Sequence, residues 1–237
     1  MSETVIREVA KDVWTFSRPF ARYGVFPMGG RSTAIKLKDG GVWVLASTPL
    51  TDETKNKINE LGTVKYIVNA DAVHYLYLSE FKRAYPDAKL IGVADTLNKI
   101  EDRTIPFDGL WGRDTPETEY GFEDDIKHCY FSGFRNKDVA FLHVASKSLI
   151  EADLLLNLPA TEQYSKSSSW IPQATLKPNS WAHQKVIRGV TTDVEAMKRD
   201  ARTVASWDFD RIIPCHGDVI EHDGNKAWRD AYKFFID

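Results

Sequence analysis

Apolar and polar positions alternate over short stretches in the first fifty or so residues. Val13-Trp14-Thr15-Phe16, Ser32 to Leu37 and Val42 to Ser47 read as strands of an antiparallel meander. Lys38-Asp39-Gly40-Gly41 joins the last two as a hairpin, because glycine takes the positive φ that an Asp-Gly turn requires. A polar helix follows from an N-cap at Thr51, with Asp52 and Glu53 in its first turn, to Leu61, and Gly62 stops it. Val64 to Val68 reads as a buried strand. Tyr75 to Ala84 reads as a helix with Leu76, Phe81 and Ala84 turned to a core, ended by Pro86. Next come a strand at Lys89 to Val93, a helical stretch near Asp95 to Ile100, and a loop containing Gly109-Leu110-Trp111-Gly112.

The second half repeats this order of strands first and helices after. Strands are expected at Ile126 to Phe131, Val139 to Ala145, Ser148 to Ala152 and Arg211 to Pro214, with helices at about Asp193 to Ser206 and from Asn225 to the end. Thr161 to Asn179 is a polar loop too long for an ordinary connection, which suggests a lid or an oligomer arm. Two strand sets with flanking helices point to an α/β protein whose sheets pack face to face under helices on both outer faces.

The chain has 237 residues, 43% apolar and 27% charged, so a single domain over 1–237 with a sizeable core is expected. Its 31 basic and 34 acidic side chains leave a net charge of −3, without the basic stripe of a nucleic-acid binder. No apolar run reaches the roughly 18 residues of a membrane span. Met1-Ser2-Glu3-Thr4 does not start like a secretory signal, and only Cys129 and Cys215 are present, so a cytoplasmic protein acting on a small molecule is expected. A homo-oligomer is left open.

Phosphate loops, paired Cys-x-x-Cys and His-Glu-x-x-His are absent. Cys215 beside His216 makes a poor nucleophilic dyad, because neighbours on an extended segment face opposite ways. There remain His74 with Asp71, Asp153, and His216, each where a strand gives way to a loop. Singly, each also reads as a capping, core or turn residue. Together they supply the imidazoles and carboxylate of one metal, provided the two halves bring their strand ends to one edge.

These residues, in this order, resemble the metallo-β-lactamase superfamily, whose fold is a four-layer αβ/βα sandwich. Val64 to His74 is similar to the strand carrying its His-x-His-x-Asp-His motif, Phe131-Ser132-Gly133-Phe134 to the place of its third-motif His, Leu149 to Asp153 to its bridging Asp, and Ile212 to Gly217 to its last His. The motif itself is degenerate: Asn69, Asp71 and Val73 stand where the family has His, His and Asp, and Phe134 or Ser132 stands where it has the third His. The resemblance therefore implies a mononuclear site of His74, Asp153 and His216, with one divalent ion, zinc ahead of iron. Asp71, three residues before His74 on a first helical turn, is expected as the catalytic carboxylate, either as a fourth ligand or by orienting the water. Asn69 is expected to bind water or substrate, and the loop aromatics Trp111, Trp170 and Trp181 to line a substrate pocket. The implied activity is hydrolysis of an ester, lactone or amide. The alternatives are a metal-free ligand-binding module or pseudoenzyme on the same fold, and a non-haem iron enzyme.

Overall fold

The computed structural model describes residues 3–167 and 173–237. The first half contains β1 (Val5–Ala10), β2 (Val13–Arg18), a small ribbon of β3 (Ala21–Arg22) and β4 (Phe26–Pro27), β5 (Gly30–Lys36), β6 (Gly41–Leu45), α1 (Asp52–Leu61), β7 (Thr63–Val68), α2 (Leu78–Ala84), β8 (Lys89–Val93) and β9 (Gly109–Trp111). The second half contains β10 (Ile126–Tyr130), β11 (Val139–His143), β12 (Ser148–Glu151), α3 (Thr161–Tyr164), α4 (Trp181–Val190), α5 (Val194–Ala205), β13 (Arg211–Pro214), α6 (Gly224–Ala231) and α7 (Lys233–Ile236).

One sheet runs in the order β1-β2-β5-β6-β7-β8-β9 and the other β10-β11-β12-β13. The β5–β6 hairpin forms as expected, with Gly40 at φ +81° in its turn. Alternation along the strands assigns each side chain to a layer. Trp43 and Leu45 of β6, Val68 of β7, Val139 and Phe141 of β11, Ile150 of β12 and Ile213 of β13 meet between the sheets. Their neighbours Val42, Val44 and Ile67 pack outward with Ile58 of α1 and Phe81 of α2. Ala140, Leu142, Leu149 and Ile212 pack outward on the other side, with Val204 of α5 and Trp228 of α6. The result is helix, sheet, sheet, helix. Strands buried on both faces explain the near-continuous apolar runs of β6, β7 and β11.

Several elements depart from the expectations. β1 was not anticipated; it pairs with β2 through a register shift between Glu8 and Ala10, and its side chains are mostly half-buried, which blunts its alternation. Residues 109–111 are an edge strand and not a loop. The expected helix at 75–84 begins only at Leu78, and Leu76 is 64% exposed instead of in the core. The helix α4 was also missed: it buries only His183 and Ile187, one residue pair four apart, too little to show a period. Of the long loop 161–179, residues 161–164 form α3, and 168–172 lie outside the described residues. No helix among the described residues is long and apolar enough to cross a membrane.

His183 ties α4 to the loop after β12, because its Nε2 accepts the Leu156 N–H at 2.9 Å. Burial pushes this imidazole down to about 4. The unfolded chain protonates near 6.5, the folded one only near 4, so stability is full above 6.5 and falls as the pH drops through that window. The loss approaches roughly 3 kcal/mol by the lower end. His183→Gln, which retains an acceptor, is expected to flatten this acid limb when urea midpoints of parent and variant are compared from pH 7 down to pH 4.

Candidate metal centre

Three strand ends create the site. β12 and β13 run parallel with Glu151 opposite Pro214, so Asp153 and His216 each stand two residues past a paired position and leave the sheet at the same end. From the other sheet, β7 lies between the parallel strands β6 and β8, and its C-terminal end leads into the segment carrying His74.

That segment is an Asx-type turn and not a helix. Asp71 Oδ1 accepts from the Val73 N–H at 2.7 Å, the His74 N–H at 2.8 Å and His74 Nδ1 at 2.9 Å. Asn69 holds the turn closed, donating from Nδ2 to the carbonyls of Asp71 (2.7 Å) and His74 (3.0 Å) while Oδ1 accepts from Thr96 Oγ1 at 2.6 Å. Across the sandwich, Asn136 Nδ2 donates to Asp153 Oδ2 at 2.6 Å, and Asp138 Oδ2 accepts the Asp153 N–H at 2.6 Å. His216 donates from Nδ1 to the Gly29 carbonyl at 2.6 Å, and Phe20 stacks on its ring with centroids 5.8 Å apart. Arg31, fully buried, donates through Nη1 to the carbonyls of Pro214 (2.5 Å) and Gly217 (2.8 Å), one on each side of the Cys215-His216 pair. Gly217 is at φ +95°, and a Cβ there would lie 2.3 Å from the Asn157 carbonyl oxygen, so the turn after His216 admits only glycine.

The consequence is convergence. One ligand atom each from His74, Asp153 and His216 lie within 4.8 Å of one another. The two Nε2 atoms are 3.2 Å apart, and His216 Nε2 is 3.4 Å from Asp153 Oδ1. Because each Nδ1 is turned to an oxygen, the two Nε2 atoms face a common point beside a carboxylate oxygen, where a metal would take the place of their protons, the donor set and supporting hydrogen bonds of a metal site. The electrostatics agree. Burial opposes charge on His74, yet Asp71 and Asp153 outweigh it and push the ring up to about 10, so this point calls for a positive charge. Burial also works to raise Asp153, but His74, His216 and Asn136 hold it well below the usual carboxylate range. Beneath it, burial pushes Asp138 and Glu151 well above their ordinary carboxylate values.

The other expected site residues fall elsewhere. Asp71 sits behind His74, fully buried, with its bonded oxygen turned to the far nitrogen of that ring. That oxygen supports the ring from the side away from the point where the Nε2 atoms converge. Asn69 is buried with its amide spent on the turn, so it does not contact substrate. Trp111 belongs to the core between the sheets and donates from Nε1 to His128 Nδ1 at 3.2 Å. Trp181 is exposed at the start of α4, in a separate depression with Lys185, Arg188 and Phe234. Trp170 lies outside the described residues. His143 bonds Ser146 at 2.8 Å at the end of β11 away from these ligands. Conversely Asn136, Asp138, Gly29 and Arg31 carry no motif signal; only folding brings them to the ligands.

The three ligands open into a cleft of about 290 Å³. Its walls include Phe20, Thr48, Val73, Leu76 and Tyr77.

Residues 10–96 match a domain family of unknown function, DUF4336. No curated protein matches the chain. The fold is that of the metallo-β-lactamases. The DIM-1 metallo-β-lactamase superposes with a TM-score of 0.64 at 12% identity, covering 98% of each chain. The FIM-1 metallo-β-lactamase of Pseudomonas aeruginosa, in a mono-zinc form, gives 0.62 at 11% identity over 100% of this chain and 98% of its own. The Flv1 flavodiiron core from Synechocystis sp. PCC6803 gives 0.64 at 12% identity over 98% of this chain and 60% of its own.

If Asp71 and Asn136 act by holding His74 and Asp153, then Asp71→Asn and Asn136→Ala are each expected to weaken zinc binding by about 10- to 100-fold. Competition against a chromophoric chelator measures this. Circular dichroism of both variants is expected to match the parent.

Proposed function

We propose that this chain is a metal-dependent hydrolase that holds one divalent ion on His74, Asp153 and His216 and acts on a small ester, lactone or amide. The convergence of two oriented Nε2 atoms with Asp153 Oδ1 carries the proposal. Two imidazoles and one carboxylate leave an open position for water, and zinc bound so lowers the pKa of that water toward ~7. The protein's own share is orientation. Asp71 and the Gly29 carbonyl fix the tautomers, and Asn136 occupies the second oxygen of Asp153. One ion is the expected limit, because Asn69, Val73 and Phe134 supply no second ligand set. Phe134 is buried in the layer under α5, and Asn69 is fully engaged in its turn. The mono-zinc form of the FIM-1 enzyme shows that a protein of this fold can be isolated with a single zinc.

Iron is the second reading, because two His and one carboxylate also make the facial triad of iron(II). The flavodiiron core among the similar structures supports testing it.

Elemental analysis of protein purified without added metal is expected to give no more than one ion per chain. His216→Ala is expected to lose that ion together with turnover on a panel of lactones, esters and amides. Two ions per chain, or a loaded parent that hydrolyses nothing on the panel, would overturn the proposal in favour of a different site or a binding module.

A further inference from the structure

Charge in the cleft is unevenly matched. Its lining carries three arginines, Arg18, Arg22 and Arg31, against the single carboxylate of Asp153. Asp153 is committed to the histidines. Arg31 is committed to structure, through Ser17 Oγ at 2.9 Å, Glu162 at 3.3 Å and the two carbonyls beside His216. Arg18 and Arg22 differ. Among the described residues Arg18 has an acidic neighbour only in Glu3, at 4.0 Å, and Glu3 is itself half-exposed. Arg22 has no carboxylate partner among the described residues; its guanidinium lies 5.4 Å from the centre of the exposed Tyr23 ring. A chain of net charge −3 therefore places Arg18, paired only loosely with Glu3, and Arg22, without a carboxylate partner among the described residues, in the lining of its cleft, and a bound dication would add further positive charge. Low-dielectric walls focus such a field and concentrate anions in the cleft.

The remaining lining is apolar. Phe20, stacked on His216 and 40% exposed, stands with Leu76 at 64% exposed, and Val73 and Tyr77 complete the surface. We infer that the substrate is an organic monoanion with an apolar body, its carboxylate held by Arg18 and Arg22 and its body laid along Phe20 and Leu76. Resting on the hydrolase reading, this would present the substrate's scissile ester, lactone or amide to the metal. Guanidinium suits the task because its planar donors match a carboxylate in a bidentate way.

The test separates this inference from the hydrolase reading. Binding of 4-phenylbutyrate and its neutral isostere 4-phenylbutyramide is titrated by calorimetry on chelator-stripped full-length protein, so that no metal can ligate the carboxylate. The parent is expected to bind the carboxylate about tenfold more tightly than the amide, the discrimination typical of a charge-assisted hydrogen bond. The preference should shrink with added salt. Arg18→Gln and Arg22→Gln together should abolish it with amide binding unchanged, and Arg22→Lys should retain part of it. In loaded protein, kcat/KM for a p-nitrophenyl ester bearing a terminal carboxylate should exceed that of the uncharged ester of equal length, with the same dependence on the arginines. Equal affinity for carboxylate and amide, or equal loss of both in the double variant, would overturn the anion subsite. Ester hydrolysis without any charge preference would do the same while leaving the hydrolase reading intact. Arginine-dependent binding of 4-phenylbutyrate with no ester hydrolysed under zinc or iron would instead overturn the hydrolase reading and leave the subsite standing.

Discussion

The parallel pairing of β12 with β13 is the constraint from which the candidate centre follows. With Glu151 opposite Pro214, the backbone delivers Asp153 and His216 to one edge at equal height, and the Cys215 N–H to Glu151 carbonyl bond at 3.0 Å locks that register. A slip of one residue would turn every side chain of β13 to the other layer, exchanging Ile212 for Ile213 between two separate cores. Packing on both faces therefore enforces the geometry of the site. Truncating a large aromatic in that sandwich, such as Phe141 or Trp43, typically costs about 3–5 kcal/mol, comparable to much of a domain's stability.

Beneath the ligands lies a buried polar layer of Asp71, Asp138 and Glu151, with the half-buried Asn136 beside it. Such groups are costly to bury and persist where their hydrogen bonds are made. Here most of those bonds go to backbone N–H groups of the ligand loops: Val73 and His74 to Asp71, Asp153 to Asp138, and Leu155 to Glu151. Burial pushes Asp138 and Glu151 up from their ordinary values, so the layer that shapes the loops resists further negative charge under Asp153.

Much of this was legible in the chain. Period-two alternation and the Asp-Gly hairpin identified most strands, the Thr51 cap and Gly62 stop bounded α1 correctly, and His74, Asp153 and His216 stood out because each ends a strand. What escaped was tertiary in origin. Asp71 looked like a ligand from its spacing of three, since nothing local says that residues 69–74 form an Asx turn and not a helix. Trp111 looked like a loop residue because Gly109 and Gly112 bracket Leu110 and Trp111, yet pairing with β8 makes Gly109 to Trp111 a strand. Arg31 reads as an ordinary polar strand residue until the structure shows it fully buried beside His216.

Phe134 bears on how many ions this fold could hold here. At the place resembling the family's third-motif histidine, this chain carries a phenyl ring only 3% exposed, packed with the apolar residues under α5. Restoring an imidazole there would put a polar ring among hydrocarbon side chains, while the two early histidines would still be missing from a turn now built on Asn69 and Asp71. Phe134 thus gives this part of the fold to the core: a second ion would need a polar ring in an apolar layer before it found any ligand there.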